Sequence, residues 1–330
     1  MRVPGQKFFR RITKPLSKRL NPGAMILGYH RIADPEWDPL GIAVGVENFT
    51  EQLEILRRHK EIVELKELLN RRNAGRSIDD LAVLTFDDGY LDFKRTVLPL
   101  LSQAQAPATV FVPSGFVGGR FWWDQVSALM RPVGRERGEL LLSFPGFFDK
   151  KLYSGVDNRL GAVRAIRDIC HRLRGGNSAA VAYVLEALEG WSVKFVDDEE
   201  TTGRPMDAPE LIAIDASELV DIGGHGRNHG CLGELKTEEQ KFEIEGCLDD
   251  LREILGREVT VFSYPNGSYA RTTPDLVKEA GLRAACSSLE RTFTRRNSPY
   301  AIPRVWAPDA GGEEFERWMS AWTLMRKPLQ

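Results

Sequence analysis

Short, mainly apolar runs alternate along this chain with segments whose apolar residues recur every three or four positions. The runs Ala24–Tyr29, Leu81–Phe86, Ala108–Val112, Leu219–Ile222, Val259–Phe262 and Leu282–Cys286 lack the in-out alternation of a half-exposed sheet. They read as parallel strands buried on both faces. Between them Phe49, Leu53 and Leu56 share one helical face, as do Leu248, Leu251 and Leu255, and such stripes cover a sheet. Thr237 with Gln240 predicts a capping box at the start of the second helix, and Gly281 stops a helix before the last run. Strand and helix repeating in this order predict βα units.

The rhythm breaks from about residue 121 to 205. This stretch holds the pair Trp122-Trp123, a Gly/Pro-rich section from Phe144 to Phe148, and a helical stripe of Val181, Val184, Leu185 and Leu188. It reads as a largely helical insertion, with the tryptophans as its core anchors or, at the rim of a site, as faces for a sugar ring. The expected organisation is a basic N-terminal segment, 1–23, followed by one elaborated domain, 24–330.

Composition narrows the function. With 42% hydrophobic and 28% charged residues among 330, the chain is an ordinary globular protein. Its net charge of −2 gives no overall field for nucleic acid. The N-terminal segment, with Lys7, Arg10, Arg11, Lys14, Lys18 and Arg19 among a few apolar residues, lacks the apolar core of a secretory signal. No run reaches the roughly 18 apolar residues that cross a bilayer. A cytoplasmic protein is expected, the basic segment being a candidate for peripheral contact with an anionic membrane surface. Cys170, Cys231, Cys247 and Cys286 have no paired spacing and read as reduced packing residues.

Two adjacent acids, Asp87 and Asp88, follow the strand ending at Phe86. Neighbouring carboxylates at the end of a buried strand repel unless a cation or a proton separates their roles. His225 and His229, four positions apart, supply further ligands for a divalent ion. The glycines at 223, 224, 226 and 230 place them in a loop rather than a helix. Alone, the two histidines would also read as a hydrogen-bonded surface pair; beside the paired acids they read as a metal site.

These residues resemble the polysaccharide deacetylase family, carbohydrate esterase family 4. Thr85-Phe86-Asp87-Asp88-Gly89 matches its T-F-D-D-G motif, and His225 and His229 match the spacing of its H-[ST]-x-x-H motif. Gly226 stands where that motif has a loop-bracing hydroxyl. The resemblance implies a distorted (β/α) barrel of about seven parallel strands, with the site at the strands' C-terminal ends. It implies Asp87 as general base and Asp88, His225 and His229 as ligands of a divalent ion, zinc by default. The stretch Ser263-Tyr264-Pro265-Asn266-Gly267 resembles the family's R-x-P-[YF]-G motif, with the amide of Asn266 as oxyanion donor. Ser263 replaces the arginine that orients the base, and Arg304 is the candidate substitute. No histidine follows His229, so the general acid is expected to be His30, placed as in the circularly permuted poly-N-acetylglucosamine deacetylases. The first and last strands of a barrel are neighbours, so such a permutation preserves the site.

The expected activity is metal-dependent removal of N-acetyl groups from amino sugars of a polysaccharide, an oligosaccharide or a lipid-linked glycan precursor. Two alternatives stand beside it: a deformylase or amidohydrolase acting on another N-acyl compound, and a glycan-binding module without catalysis.

Overall fold

The computed structural model describes residues 23–132, 138–175, 177–192 and 203–324. The basic segment lies outside them except for Gly23. The described strands are β1 (Met25–Tyr29), β2 (Arg31–Ile32), β3 (Ala43–Val44), β4 (Glu61–Ile62), β5 (Leu81–Phe86), β6 (Ala108–Val112), β7 (Leu140–Phe144), β8 (Phe148–Tyr153), β9 (Val220–Gly224), β10 (Val261–Ser263), β11 (Ala284–Cys286) and β12 (Val305–Trp306). The helices are α1 (Val46–His59), α2 (Leu65–Asn73), α3 (Leu98–Ala104), α4 (Trp122–Leu129), α5 (Arg159–Leu173), α6 (Ser178–Trp191), α7 (Ala208–Asp215), α8 (Thr237–Leu255), α9 (Thr273–Glu279) and α10 (Gly312–Leu324).

Seven parallel strands in the order β11-β10-β9-β6-β5-β1-β12 form the main sheet, with β4 paired to β5. This is the distorted (β/α) barrel expected from the sequence. Every residue of β1, β5 and β6 is buried, each large aliphatic or aromatic side chain contributing about 1.5–3 kcal/mol on leaving water. The helices supply the second layer: Phe49, Leu53 and Leu56 of α1 and Leu248 and Leu251 of α8 are buried against the sheet's core.

Register decides which loops meet. Tyr29 pairs with Phe86, so the residues after them, His30 and Asp87, leave the sheet side by side. Val112 pairs with Gly224, which sends Pro113 and His225 out at the same edge. At the outer edge Gly28 pairs with Trp306. A Cβ on Gly28 would lie 2.8 Å from the Trp306 ring, so only glycine lets that indole lie across the strand.

Several boundaries differ from the sequence reading. The ninth strand runs on through Gly223 and Gly224, because residues that weaken an apolar pattern can still pair through their backbones. The expected Thr237/Gln240 capping box is shifted: the backbone N–H of Lys236 donates to Glu239 Oε2 at 2.8 Å. Gln240 is buried, donates to Leu235 O and accepts from Thr273.

The insertion is largely helical, as expected, and carries one hairpin besides. Between α4 and α5 lies the antiparallel hairpin β7-β8, whose turn is the Gly/Pro-rich section. Leu140 and Leu142 face inward while Leu141 between them is exposed, so an unbroken apolar run hid the two-residue period. Trp122, Trp123, Val126, Leu140, Phe148, Ile166 and Leu188 join a second hydrophobic core, which makes the tryptophans core anchors. Tyr90, two residues after Asp88, belongs to that core and ties the insertion to the strand carrying the acids. Among the described residues no helix is long and apolar enough to cross a membrane.

Candidate active site

The C-terminal ends of β1, β5, β9 and β10 bring together side chains from four distant parts of the sequence. Asp87 N–H donates to Tyr29 O at 2.9 Å, continuing the β1-β5 pairing by one step. The chain then turns through two left-handed residues, Asp88 at φ +72° and Gly89 at φ +69°. His229 (φ +58°) and Asn266 (φ +55°) adopt the same region. Non-glycine residues rarely do so, and they collect where a site constrains the backbone.

Asp88 Oδ1 stands 3.6 Å from His225 Nε2 and 3.4 Å from His229 Nε2. One ligand atom from each residue lies within 4.8 Å of the other two. Asp88 Oδ1 is buried with no hydrogen-bond partner, an orphan that is costly unless something else meets it. Burial first, then the charges of Asp87 and Asp124, pushes its carboxyl well above the usual range, so the pocket is short of positive charge. His225 Nδ1 lies 2.8 Å from Ser263 O. A proton on Nδ1 satisfies that carbonyl and leaves the Nε2 lone pair free. Burial lowers the basicity of both imidazoles, reinforced at His229 by His225, and favours their neutral, ligating form. An unpaired carboxylate oxygen facing two imidazole nitrogens is a donor set that fits a divalent cation.

Asp87 is held apart from this group by a fully buried guanidinium. Arg304 donates from Nη1 to Asp87 Oδ1 and from Nη2 to Oδ2, both at 2.7 Å. The same group reaches Thr85 Oγ1 at 3.2 Å, Ser263 Oγ at 2.9 Å and Ser287 O at 3.2 Å. Ser263, which replaces the motif arginine, is therefore a small partner that leaves room for an arginine arriving from the start of β12. Burial raises the Asp87 carboxyl, but Arg304 and His225 outweigh it and hold the group well below the usual carboxylate range. Its Oδ2 lies 3.7 Å from His225 Nε2, so a second carboxylate stands beside the ligand group while bound elsewhere.

His30 stacks on Trp306, with ring centroids 4.7 Å apart and planes 11° from parallel. Arg304 lies over the same indole at 4.9 Å. Burial pushes the His30 pKa down to about 4, with Asp87 pulling it up and Arg304 pulling it down. Asn266 occupies a tight turn after β10, closed by Gly267 N–H to Tyr264 O at 2.8 Å.

A second polar group lies behind the site. Trp123 Nε1 donates to Tyr90 Oη at 2.8 Å, and the Trp123 ring packs 4.9 Å from His229. Asp92 is buried and paired with Arg31 Nε at 2.9 Å. The sequence marks Trp123 as a core anchor or a face for a sugar ring but gives no sign of its contact with His229, and it does not single out Trp306. An aromatic residue carries no mark of which ring it will touch.

The matching family model is that of polysaccharide deacetylase, covering residues 74–133 and 173–285, over half of the chain. The chain belongs to the polysaccharide deacetylase family. The middle of the insertion, residues 134–172, falls in the gap between the matched segments, and His30 and Arg304 fall outside them. Solved structures share the fold at low identity. The deacetylase PplD of Streptococcus pyogenes, in complex with acetate, is 15% identical with a TM-score of 0.57, covering 93% of this chain and 100% of that one. IcaB from Ammonifex degensii is 18% identical with a TM-score of 0.57, covering 92% and 98%. The BpsB deacetylase domain from Bordetella bronchiseptica is 18% identical with a TM-score of 0.51, covering 86% and 94%. No match was found among curated proteins. Family membership supports deacetylation of polysaccharide by hydrolysis of N-acetyl amino sugars.

Proposed function

We propose that this polysaccharide deacetylase family member is a metal-dependent hydrolase that removes N-acetyl groups from amino-sugar residues of a glycan, whether polymer, oligosaccharide or lipid-linked precursor. The observation that carries the reading is the division of labour between adjacent acids: Asp88 unpaired before two imidazoles, Asp87 paired with Arg304 beside them. Asp88, His225 and His229 would hold the cation, zinc being the default for this N/O donor set. When bound, such an ion supplies Lewis acidity, which makes water a better nucleophile at neutral pH and polarises an acyl carbonyl.

The chain's own residues do the rest. Asp87, ionised across the working pH range and fixed by two hydrogen bonds, accepts the proton of the attacking water. The turn at Asn266 offers its amide N–H to the oxygen of the developing tetrahedral carbon. His30, stacked on Trp306, delivers a proton to the leaving nitrogen. It starts neutral, so it acts only after taking up a proton within the site.

The test is acetate release from N-acetylglucosamine oligomers by purified protein, before and after chelation and after Zn²⁺ is restored. Release that is lost with chelator and recovered with Zn²⁺ supports the reading. Release from formylated or non-sugar N-acyl compounds alone would assign the amidohydrolase alternative. No release from any N-acyl substrate despite bound metal would assign a glycan-binding module. His30→Ala is expected to lower kcat by about 10²-fold while retaining bound metal.

A further inference from the structure

The loop carrying both metal-site histidines has little conformational preference of its own, since Gly226 (φ +75°) and His229 (φ +58°) both stand in the left-handed region. Its shape is imposed from two sides. The backbone after β6 supplies one: Ser114 N–H donates to Gly226 O at 3.2 Å and Gly115 N–H to Arg227 O at 2.8 Å. Helix α8 supplies the other. Glu243, only 5% exposed, accepts from Asn228 N–H on Oε2 and from Asn228 Nδ2 on Oε1, both at 2.8 Å. Two turns later Asp250 takes the Arg227 guanidinium at 3.0 Å and the Ser114 hydroxyl at 2.7 Å. A Cβ added to Gly226 would lie 3.0 Å from Glu243 Oε2, so carboxylate and bare glycine occupy one space between them.

We propose that Glu243 is a positioning residue of the metal site: its carboxylate grips Asn228 by backbone and side chain together, and so sets His229 in the left-handed conformation that brings Nε2 to Asp88. The inference rests on reading Asp88, His225 and His229 as the metal ligands. A carboxylate suits the task because both oxygens must accept, whereas an amide of the same shape offers one acceptor and turns a donor against the other Asn228 N–H. Glutamine therefore separates positioning from space-filling. It also follows that Gly226 and Glu243 are coupled, because a side chain at 226 would displace the carboxylate.

Zn²⁺ affinity, by competition with a chromophoric chelator, and the visible absorption of the Co²⁺-loaded protein test this without reference to activity. Glu243→Gln is expected to weaken Zn²⁺ binding by about 10-fold or more and to alter the Co²⁺ bands. Glu253→Gln, exposed on the same helix, should change neither. Gly226→Ser and Glu243→Ala should each also weaken binding, and the double variant Gly226→Ser/Glu243→Ala should lose less than these two single losses combined. Should Glu243→Gln fail to fold, Asn228→Ala, which removes one of the two donors, is expected to show a smaller loss in the same direction. Wild-type affinity and spectrum in Glu243→Gln, or independent losses in the double variant, would overturn the positioning role while leaving the metal site intact. Absence of Zn²⁺ and Co²⁺ binding by the wild type would overturn the metal reading itself.

Discussion

Asp87 and Asp88 are chemically the same residue, and their neighbours make them different. Arg304 forms an ion pair with one, while among the described residues Oδ1 of the other has no hydrogen-bond partner. Asp87→Asn should lower kcat by about 10²–10⁴-fold with metal content retained, measured by acetate release and metal analysis on the same preparation. Arg304→Met should act on the fold as well, because it strands a buried carboxylate; a loss of about 3–5 kcal/mol in urea unfolding is expected. The paired acids and the histidine spacing were legible in the sequence, since adjacent charges after an apolar run have few other uses. Arg304 could be named only as a candidate, because its reach to Asp87 depends on β12 lying against β1. Glu243 was missed, although it left one sign: an acid on the buried stripe of Gln240, Ile244, Cys247 and Leu248 in α8.

Among the elements, the insertion does more than extend the barrel. Helix α4 sets Trp123 against His229 and carries Asp124 into the group with Tyr90, Asp92 and Arg31. Burial pushes Asp92 up to about 6 and Asp124 up to about 7, against the pull of Arg31. Both carboxyls thus hold a proton more tightly when folded than when unfolded. Their contribution to stability is complete below the ordinary carboxylate pKa and is lost as pH rises through about 6 to 7. Unfolding of the wild type and of Asp124→Asn, compared between about pH 5 and about pH 8, should show a shallower decline in the variant; an unchanged difference would refute the assignment. Gly28→Ala, which drives a methyl into the Trp306 ring, should cost about 1–3 kcal/mol. The main strands were readable because they are short and mainly apolar. The β7-β8 hairpin was not, because an exposed Leu141 erased its alternation.

At the scale of the whole molecule, the site depends on β1 and the edge strand β12, which stand near opposite ends of the described chain and pair through Leu27 with Val305. They deliver His30 and Arg304 to the acids and histidines of the central strands, and neither lies in the segments matched by the family model. The parallel topology, read from apolar runs and helical stripes, fixed in advance which ends of the strands would carry chemistry. It could not show which loops would touch, since that depends on register, and a one-residue slip of β1 against β5 would separate His30 from Asp87. The most direct test is an anomalous diffraction measurement on crystals of the protein grown with Zn²⁺. One ion is predicted at about 2.0–2.2 Å from Asp88, His225 Nε2 and His229 Nε2, with both Asp87 oxygens still on Arg304. An ion held by Asp87 in place of Asp88, or none between the two histidines, would contradict the account.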